Sequence, residues 1–146
     1  MKPALLLLLF LALALALALL SCGHNSTDED ETRIRDIIYD ISRDFNWNEI
    51  DGIMEHVHPD YLHNGMYDYQ LRLLWLDRLA QYDLLSCEVS RVDLNGDLAT
   101  VHMLMTFEAS SAPPLSYSEP ETHGDTSFFL YDQGQWRLYG NQLWGK

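Results

Sequence analysis

Residues 84–109, LLSCEVSRVDLNGDLATVHMLMTFEA, decide the fold because apolar and polar side chains alternate along them. This period of two is typical of β-strands, in which successive side chains point to opposite faces. The alternation breaks at Asn95 and Gly96, a dipeptide that favours a tight turn between antiparallel strands. The stretch therefore predicts a β-hairpin. The more apolar face of its second strand carries Ala99, Val101, Met103, Met105 and Phe107.

A second hairpin is predicted near the end of the chain. Residues 126–132, TSFFLYD, and 136–144, WRLYGNQLW, flank the turn QGQ, and Trp136 and Leu138 fall on one side. Between the hairpins, residues 109–124 hold three of the five prolines. Because proline cannot donate to a central β-ladder, this segment is predicted to be a long loop or a mobile flap. Whether it is a lid stays open.

Before residue 84 the apolar spacing is that of helices. The first helix has acidic residues 28–31 at its positive end and an apolar stripe further on. The second is expected from about Asn48, as its cap, to His58, since Pro59 disfavours continuation. Residues 59–65, PDYLHNG, predict a short extended piece and a turn, and a third helix is expected over about 68–82. The stripe of the first helix is Ile34, Ile37, Ile38, Ile41 and Phe45, and that of the third is Leu71, Leu74, Trp75, Leu79 and Tyr82.

Helices followed by antiparallel strands predict an α+β fold rather than a parallel α/β sheet. This order, with FFLYDQGQWRLYGNQ at residues 128–142 and HPDYLHNG at 58–65, resembles the nuclear transport factor 2-like superfamily, which includes SnoaL-like polyketide cyclases and ketosteroid isomerase. The resemblance covers roughly residues 30–144. It implies three N-terminal helices packed on a strongly curved antiparallel sheet, a cystatin-like cone with a pocket between sheet and helices, and frequent dimerisation through the sheet.

Four large side chains are candidates for lining such a pocket: Tyr61, Trp75, Met103 and Trp136. Small-molecule sites are mostly apolar with a few polar groups, which fits these residue types. The same residues at regular spacing are equally typical of an ordinary core, and we expect most of them to be core.

The start of the chain is typical of a secretory signal peptide: Lys2 precedes an uninterrupted run of Ala, Leu and Phe from Ala4 to Leu20. Because 17 apolar residues nearly span a bilayer, a retained membrane helix is the alternative. Leu19, Leu20, Ser21 and Cys22 resemble the bacterial lipobox. The resemblance implies a diacylglyceryl group on Cys22, cleavage before it and acylation of the new amino terminus.

The chain is therefore expected to comprise a lipoprotein signal peptide over 1–21, an acidic tether over 22–31 and a nuclear transport factor 2-like domain over 32–146. Lipid would hold it at the bacterial cell envelope, since two or three acyl chains anchor stably. Gly23 after Cys22 indicates the outer membrane in a Gram-negative host. In a Gram-positive host the same signal indicates the outer face of the cell membrane.

The charge of the chain argues against nucleic acid as a partner. Without Lys2, the nine basic residues become eight against 22 acidic ones, a formal net charge of −14. The basic residues are scattered among acids rather than grouped in the patch that polyanions require. After lipidation Cys87 is the single thiol, so no intramolecular disulfide is expected, and Cys87 is interpreted as a buried small side chain.

The densest polar cluster, EHVHPDYLHNG at residues 55–65, holds His56, His58, Asp60 and His63. No metal-binding signature accompanies it, so the histidines are interpreted as partly exposed structural residues, and no metal or cofactor is expected. An enzyme would need a buried acid or base in the cone. Asp60, Asp77, Tyr61, Tyr82 and His102 are suitable types, but no local motif assigns a catalytic role to any of them.

Three hypotheses of function follow. The first is a non-catalytic, lipid-anchored domain that binds a small apolar ligand or an envelope protein. The second is a SnoaL-like or ketosteroid-isomerase-like enzyme with a buried Asp or His. The third is a structural module that forms a homodimer through its sheet. Catalysis requires an ionisable group with a perturbed pKa facing the cavity, whereas binding requires only shape and lining.

Overall fold

The computed structural model describes residues 27–144. The predicted signal peptide, the lipidation site Cys22 and the first part of the tether lie outside these residues. Among the residues it describes, no helix combines the length and hydrophobicity that crossing a membrane requires.

The first helix, α1, spans Thr27–Asn46 and buries the predicted stripe, with Ile37 only partly covered. It begins earlier than the predicted domain boundary at residue 32, so residues 27–31 are helical rather than part of the tether. The physical reason is their charge. Asp28, Glu29 and Asp30 occupy the first turn, where carboxylates stabilise the positive end of the helix.

The second helix, α2, spans only Ile50–Glu55, and two details of its prediction were wrong. Asn48 is not its cap, because it adopts a left-handed φ of 59° in the turn after α1, and Glu49 takes the cap position. The helix also ends before Val57, which forms a parallel bridge with Leu138 instead. The sheet edge thus competes with the last predicted helical turn for backbone hydrogen bonds.

The segment after α2 folds into a small hairpin of strands β1 (Leu62–His63) and β2 (Met66–Tyr67), which confirms the predicted extended piece and turn. Helix α3 follows at Asp68–Gln81, close to the predicted bounds. It buries Leu71, Trp75 and also Arg78.

The sheet contains five antiparallel strands: β3 (Leu84–Asn95), β4 (Leu98–Ala109), β5 (Ala112–Glu119), β6 (Phe128–Asp132) and β7 (Gln135–Leu138). Both predicted hairpins are confirmed as β3–β4 and β6–β7, but the last strand ends at Leu138 and does not extend over the predicted residues 136–144. Strand β4 pairs with β3 along its length, while its opposite edge is shared by β6 at the start and β5 towards the end. An irregularity between Val89 and Arg91 interrupts the β3–β4 register.

Strand β5 overturns the prediction of a loop or flap over residues 109–124. It tolerates proline because, within residues 27–144, it pairs with β4 alone and so lies at an edge of the sheet. Pro113 and Pro114 fall where the pairing with β4 shifts, between the Phe107–Leu115 and Ala109–Ala112 pairs. Neither proline is therefore paired with a residue of β4 in the ladder.

The helices pack on one face of the sheet, as predicted for the α+β class. Helix α1 lies along β3, where Arg35 Nη1 and Ser42 Oγ donate to the carbonyl oxygens of Val89 (2.9 Å) and Leu85 (2.7 Å). The apolar face of β4 is buried beneath the helices, while Thr100, His102, Leu104 and Thr106 face the other way. The result is a curved antiparallel sheet wrapped around three helices.

Candidate functional site

The space between the helices and the sheet, here called the cone interior, holds a continuous cluster of buried side chains. The four predicted pocket residues Tyr61, Trp75, Met103 and Trp136 are all buried in one continuous core. Phe45 and Phe107 meet Trp75 at ring-centroid distances of 6.0 and 6.5 Å. Met103 borders one cavity and Trp136 borders another, whereas Tyr61 and Trp75 border neither of these two. The burial of all four residues agrees with the core interpretation, and a pocket lined by them stays a prediction.

A buried ion pair closes the cone interior. Arg78 extends from α3, and its Nη2 lies 2.8 Å from Oδ2 of Asp125, with both side chains at most 10% exposed. The guanidinium of Arg78 also lies over the rings of Trp75 and Phe107, 4.7 and 5.5 Å from their centroids. Burial by itself would raise the pKa of Asp125, but the adjacent guanidinium outweighs burial and holds that pKa below its ordinary value. Both groups are charged at neutral pH.

Further polar groups complete this interior cluster. The hydroxyl of Thr126 donates to Asp125 Oδ1 at 2.6 Å, and the hydroxyl of Tyr61 donates to the Asp125 carbonyl at 2.8 Å. Arg78 Nη2 donates to the hydroxyl of Tyr117 at 3.2 Å. Burial raises the pKa of both tyrosines, so the phenols stay neutral. The cluster satisfies its own hydrogen bonds and is built as part of the core.

Glu119, at the end of β5, is a buried acid like Asp125 and is only 1% exposed. Its carboxylate accepts the backbone N–H groups of His123, at 3.1 Å, and Gly124. Burial raises its pKa to about 7, even though these two N–H groups favour the ionised form. Glu119 is therefore the acid of this region that exchanges its proton near neutral pH.

A cavity of about 1020 Å³ opens near the β3 irregularity, mainly on the face of the sheet opposite the helices, and is here called the outer-face cavity. Its lining combines the apolar residues Val89, Met103 and Leu104 with polar ones: Glu88, Ser90, Arg91, His102, Ser118, Glu119 and Glu121. His102 Nε2 lies 3.0 Å from Asp93 Oδ2, and its Nδ1 lies 3.5 Å from Glu121 Oε1. Acids outnumber bases around the opening, so it favours a partner with positive charge or hydrogen-bond donors.

The predicted histidine cluster is dispersed by the fold. His58 and His63 were predicted to be partly exposed, and this was wrong. Ring nitrogens of both histidines meet polar groups of distant segments, whereas Nδ1 of His63 is buried with no hydrogen-bond partner among the described residues. Nδ1 of His58 accepts the Asp60 N–H at 3.0 Å, its Nε2 lies 3.3 Å from Asp132, and Nε2 of His63 lies 2.7 Å from the His123 carbonyl. Among residues 27–144, no three His, Cys, Asp or Glu side chains are grouped to hold a metal ion.

The other predicted acid–base candidates are separated from one another. Asp60 and Asp77 are exposed, and Asp77 accepts a hydrogen bond from Gln81 of its own helix. Tyr82 is half-buried against Phe107, and His102 lines the outer-face cavity. Cys87 is partly covered, and burial raises the pKa of its thiol to about 12, which agrees with an unreactive side chain.

The interior cluster was not identified from the sequence, although one signal was available. Arg78 interrupts the apolar stripe of α3, three residues after Trp75 and one before Leu79. A charged residue in a buried stripe requires a partner of opposite charge. Its partner, Asp125, lies 47 residues later in a loop, where no local pattern indicates burial.

The architecture agrees with that of many solved structures. An NTF2-like protein of unknown function from Pseudomonas putida is similar with a TM-score of 0.58 and 15% identity, covering 78% of this chain and 84% of that one. A cystatin-like protein of unknown function from Nostoc punctiforme gives 0.57 and 14%, covering 78% and 89%. The fold is that of the nuclear transport factor 2-like proteins. No family model and no curated protein sequence matches the chain.

Proteins with this fold include enzymes. An epoxide hydrolase of M. tuberculosis is similar with a TM-score of 0.50 and 10% identity, covering 75% of this chain and 80% of that one. Identities this low establish the fold and leave the activity to be argued from the site.

Proposed function

We propose that the protein is a lipid-anchored domain of the bacterial cell envelope that binds an envelope partner at its surface and has no catalytic role. The burial of many large side chains in the cone interior is the observation that supports this proposal. Trp75, Phe107 and the Arg78–Asp125 ion pair occupy the space that an apolar ligand would need. Of the two occupants expected from the sequence, a surface partner is therefore favoured over a small apolar ligand.

The anchor is proposed from residues outside those that the structure describes. Cleavage before Cys22 would leave a lipidated cysteine five residues before the start of α1 at Thr27. Five extended residues span at most roughly 18 Å, so the domain would be held close to the membrane. Its location would be the outer membrane of a Gram-negative host or the outer face of a Gram-positive cell membrane.

The proposed partner site is the outer-face cavity. It is open to solvent, acidic and placed on the polar side of the sheet. Homodimerisation through this face is supported less well, because Ser86, Thr106, Ser116 and Ser118 make its centre polar and separate the exposed side chains of Leu84, Leu98 and Leu104. Stable homodimer interfaces are more apolar than this surface.

We expect native mass spectrometry of the full protein extracted from its own host to show three things. The chain lacks residues 1–21 and carries a diacylglyceryl mass at Cys22, it retains no apolar small molecule, and it carries a second protein. Leu104→Glu, at the cavity, should remove that second protein, whereas Leu73→Glu, on the exposed side of α3, should retain it. A Cys22→Ser chain that still carries the lipid mass would contradict the anchor, and a retained apolar ligand would contradict the surface site.

The second candidate function is the enzyme hypothesis, and Glu119 is the observation that favours it. A general base works best when its pKa lies near the operating pH, and Glu119 combines such a pKa with a place in the cavity lining. Its carboxylate is, however, already engaged by two backbone N–H groups. A substrate could reach it only if residues 119–124 moved.

A carboxyl titration by ¹³C NMR tests this feature of Glu119. We expect one carboxyl signal with a midpoint near pH 7 that is absent from Glu119→Gln. Because the folded pKa lies above the ordinary value of 4.5, the native state holds this proton more tightly than the unfolded state does. This group therefore makes the fold less stable as pH rises from 4.5 to about 7, and the slope should vanish in the variant. A midpoint near 4.5 would remove the base from the enzyme hypothesis.

A further inference from the structure

Three aromatic side chains form an exposed cluster, the aromatic corner, consisting of Tyr67, Tyr69 and Trp144. Their exposed fractions are 39%, 61% and 72%. The rings of Tyr67 and Tyr69 are nearly parallel, 9° apart with centroids at 6.2 Å, and the ring of Trp144 stands at 73° to Tyr67 with centroids at 6.0 Å. The corner thus presents ring faces in two different directions to solvent.

The tyrosine side of the corner is held by regular structure. Tyr67 ends the β1–β2 hairpin, where it pairs with Leu62, and it is also the N-cap residue of α3. Its N–H donates to Oε1 of Gln70 at 2.9 Å. Tyr69 lies in the first turn of α3. The backbones that carry both rings are therefore fixed without any contact from a ligand.

The segment that carries Trp144 is hydrogen-bonded to the same β1–β2 hairpin. The Gly65 N–H donates to the Leu143 carbonyl at 2.9 Å, next to Trp144. The side-chain amide of Asn141 donates to Asn64 Oδ1 at 2.9 Å and accepts the Asn64 N–H at 3.1 Å. These bonds join two segments that are distant in sequence and place Trp144 beside Tyr67.

Two other tryptophans of the chain each have the guanidinium of an arginine over their ring. Trp47 is also exposed, but the guanidinium of Arg43 lies 5.4 Å from its ring centroid. Trp75 is covered by Arg78 at 4.7 Å. Within residues 27–144, no arginine is placed over the rings of the aromatic corner in this way. No cation from residues 27–144 therefore occupies the ring faces of the aromatic corner.

The charge of the chain favours a cation from outside. Acidic residues exceed Lys and Arg by 13 over the whole sequence, and Asp68 lies between the two tyrosines. Aromatic faces attract cations through the ring quadrupole, most strongly when the cation sheds its water easily. A primary ammonium needs hydrogen-bond acceptors that ring faces do not supply. A quaternary ammonium needs none.

We propose that the aromatic corner binds a small quaternary ammonium compound, a free trimethylammonium ligand of the choline type. Because the rings of Tyr67 and Trp144 are steeply inclined to each other, methyl groups of one cation can contact both rings. Tyr69 enlarges this contact surface. This inference does not depend on the partner proposed for the outer-face cavity, because the residues of the two sites are separate.

The probe is choline chloride, added to the full chain in an uncharged detergent that contains no choline group. Saturation-transfer NMR on the choline methyl signal should give a dissociation constant of about 1–10 mM. The matched control is 3,3-dimethylbutan-1-ol, which replaces the quaternary nitrogen by a neutral carbon. It should bind at least about tenfold more weakly, since it keeps the methyl groups and loses the charge.

Variants locate the site. Trp144→Leu and Tyr69→Leu should each weaken choline binding by about tenfold, because each removes one ring face from an exposed position with little effect on folding. Trp47→Leu, which removes an equally exposed tryptophan elsewhere, should leave the affinity unchanged. Equal affinity for the neutral alcohol would show an apolar surface instead of a cation site. Full choline binding by both corner variants would overturn the proposal.

Discussion

Replacing Arg78 with methionine is expected to lower the free energy of unfolding by about 3–5 kcal/mol, because it leaves a buried carboxylate without its partner. Asp125 is 3% exposed, and the guanidinium supplies both of its contacts with a positive charge in the cone interior, at 2.8 and 3.3 Å. Methionine retains most of the apolar stem of Arg78 and removes the charged guanidinium that lies over Trp75, so the loss reports the charge rather than a large cavity. Urea denaturation measures the difference.

Matched variants separate the charge effect from packing. Arg72→Met removes an arginine from the same helix whose ion pair with Asp51 is exposed, and should cost at most about 1 kcal/mol. The double variant Arg78→Met, Asp125→Leu should recover much of the loss, because a buried apolar pair replaces a buried ion pair at little net cost. If Arg78→Met and Arg72→Met lowered the free energy of unfolding by the same amount, the interior ion pair would contribute no more to stability than an exposed one.

The same variants differ in their dependence on pH. In the wild type the pKa of Asp125 is depressed, so its contribution to stability is present above the ordinary value of 3.8 and is lost as pH falls through the folded pKa. In Arg78→Met the guanidinium no longer opposes burial, which leaves the Thr126 hydrogen bond and His123 as the groups that still lower the pKa, so that pKa should rise. The stability difference between the two proteins should therefore shrink as pH is lowered from 7 towards 4. A difference that stays constant over this range would contradict the charge argument.

The regular elements were predictable because each depends on local periodicity. The buried positions of α1 repeat at helical spacing, and Ala99 to Phe107 alternate along β4, so burial of one face determines both patterns. Strand β5 was missed because the rule against proline applies to central strands. Pro113 and Pro114 instead lie at an edge and at a shift in the pairing.

The sites were less predictable because they depend on contacts between distant residues. Sequence spacing identifies Tyr67 and Tyr69 as neighbours, but only the clamp between Asn64 and Asn141 brings Trp144 to them. In the same way, nothing in the local sequence around Glu119 indicates that its carboxylate folds back onto the N–H groups of residues 123 and 124. A contact between residues that are distant in the chain leaves no periodic pattern in the sequence.

Among single substitutions in the segment after β7, Gly140→Ala is expected to be the most damaging. It should lower the free energy of unfolding by about 3–5 kcal/mol. Gly140 has a φ of 75°, which disfavours any residue with a Cβ. A Cβ there would also lie 2.2 Å from the carbonyl oxygen of Leu62 and 2.6 Å from its carbonyl carbon, and neither backbone atom can turn aside as a side chain does. That oxygen accepts the Gln142 N–H at 2.9 Å, so the clash would also loosen the segment that carries Trp144.

Gly134→Ala is the matched control for this prediction, because it separates backbone strain from the clash. Gly134 has a similar φ of 83° in the β6–β7 turn, but no heavy atom lies within 4 Å of its added Cβ. Gly134→Ala should therefore lower the free energy of unfolding only by the cost of a left-handed backbone, about 1–2 kcal/mol. Urea denaturation of both variants compares the losses, and choline binding should weaken in Gly140→Ala and not in Gly134→Ala. Equal losses of stability would mean that the close approach to Leu62 contributes nothing.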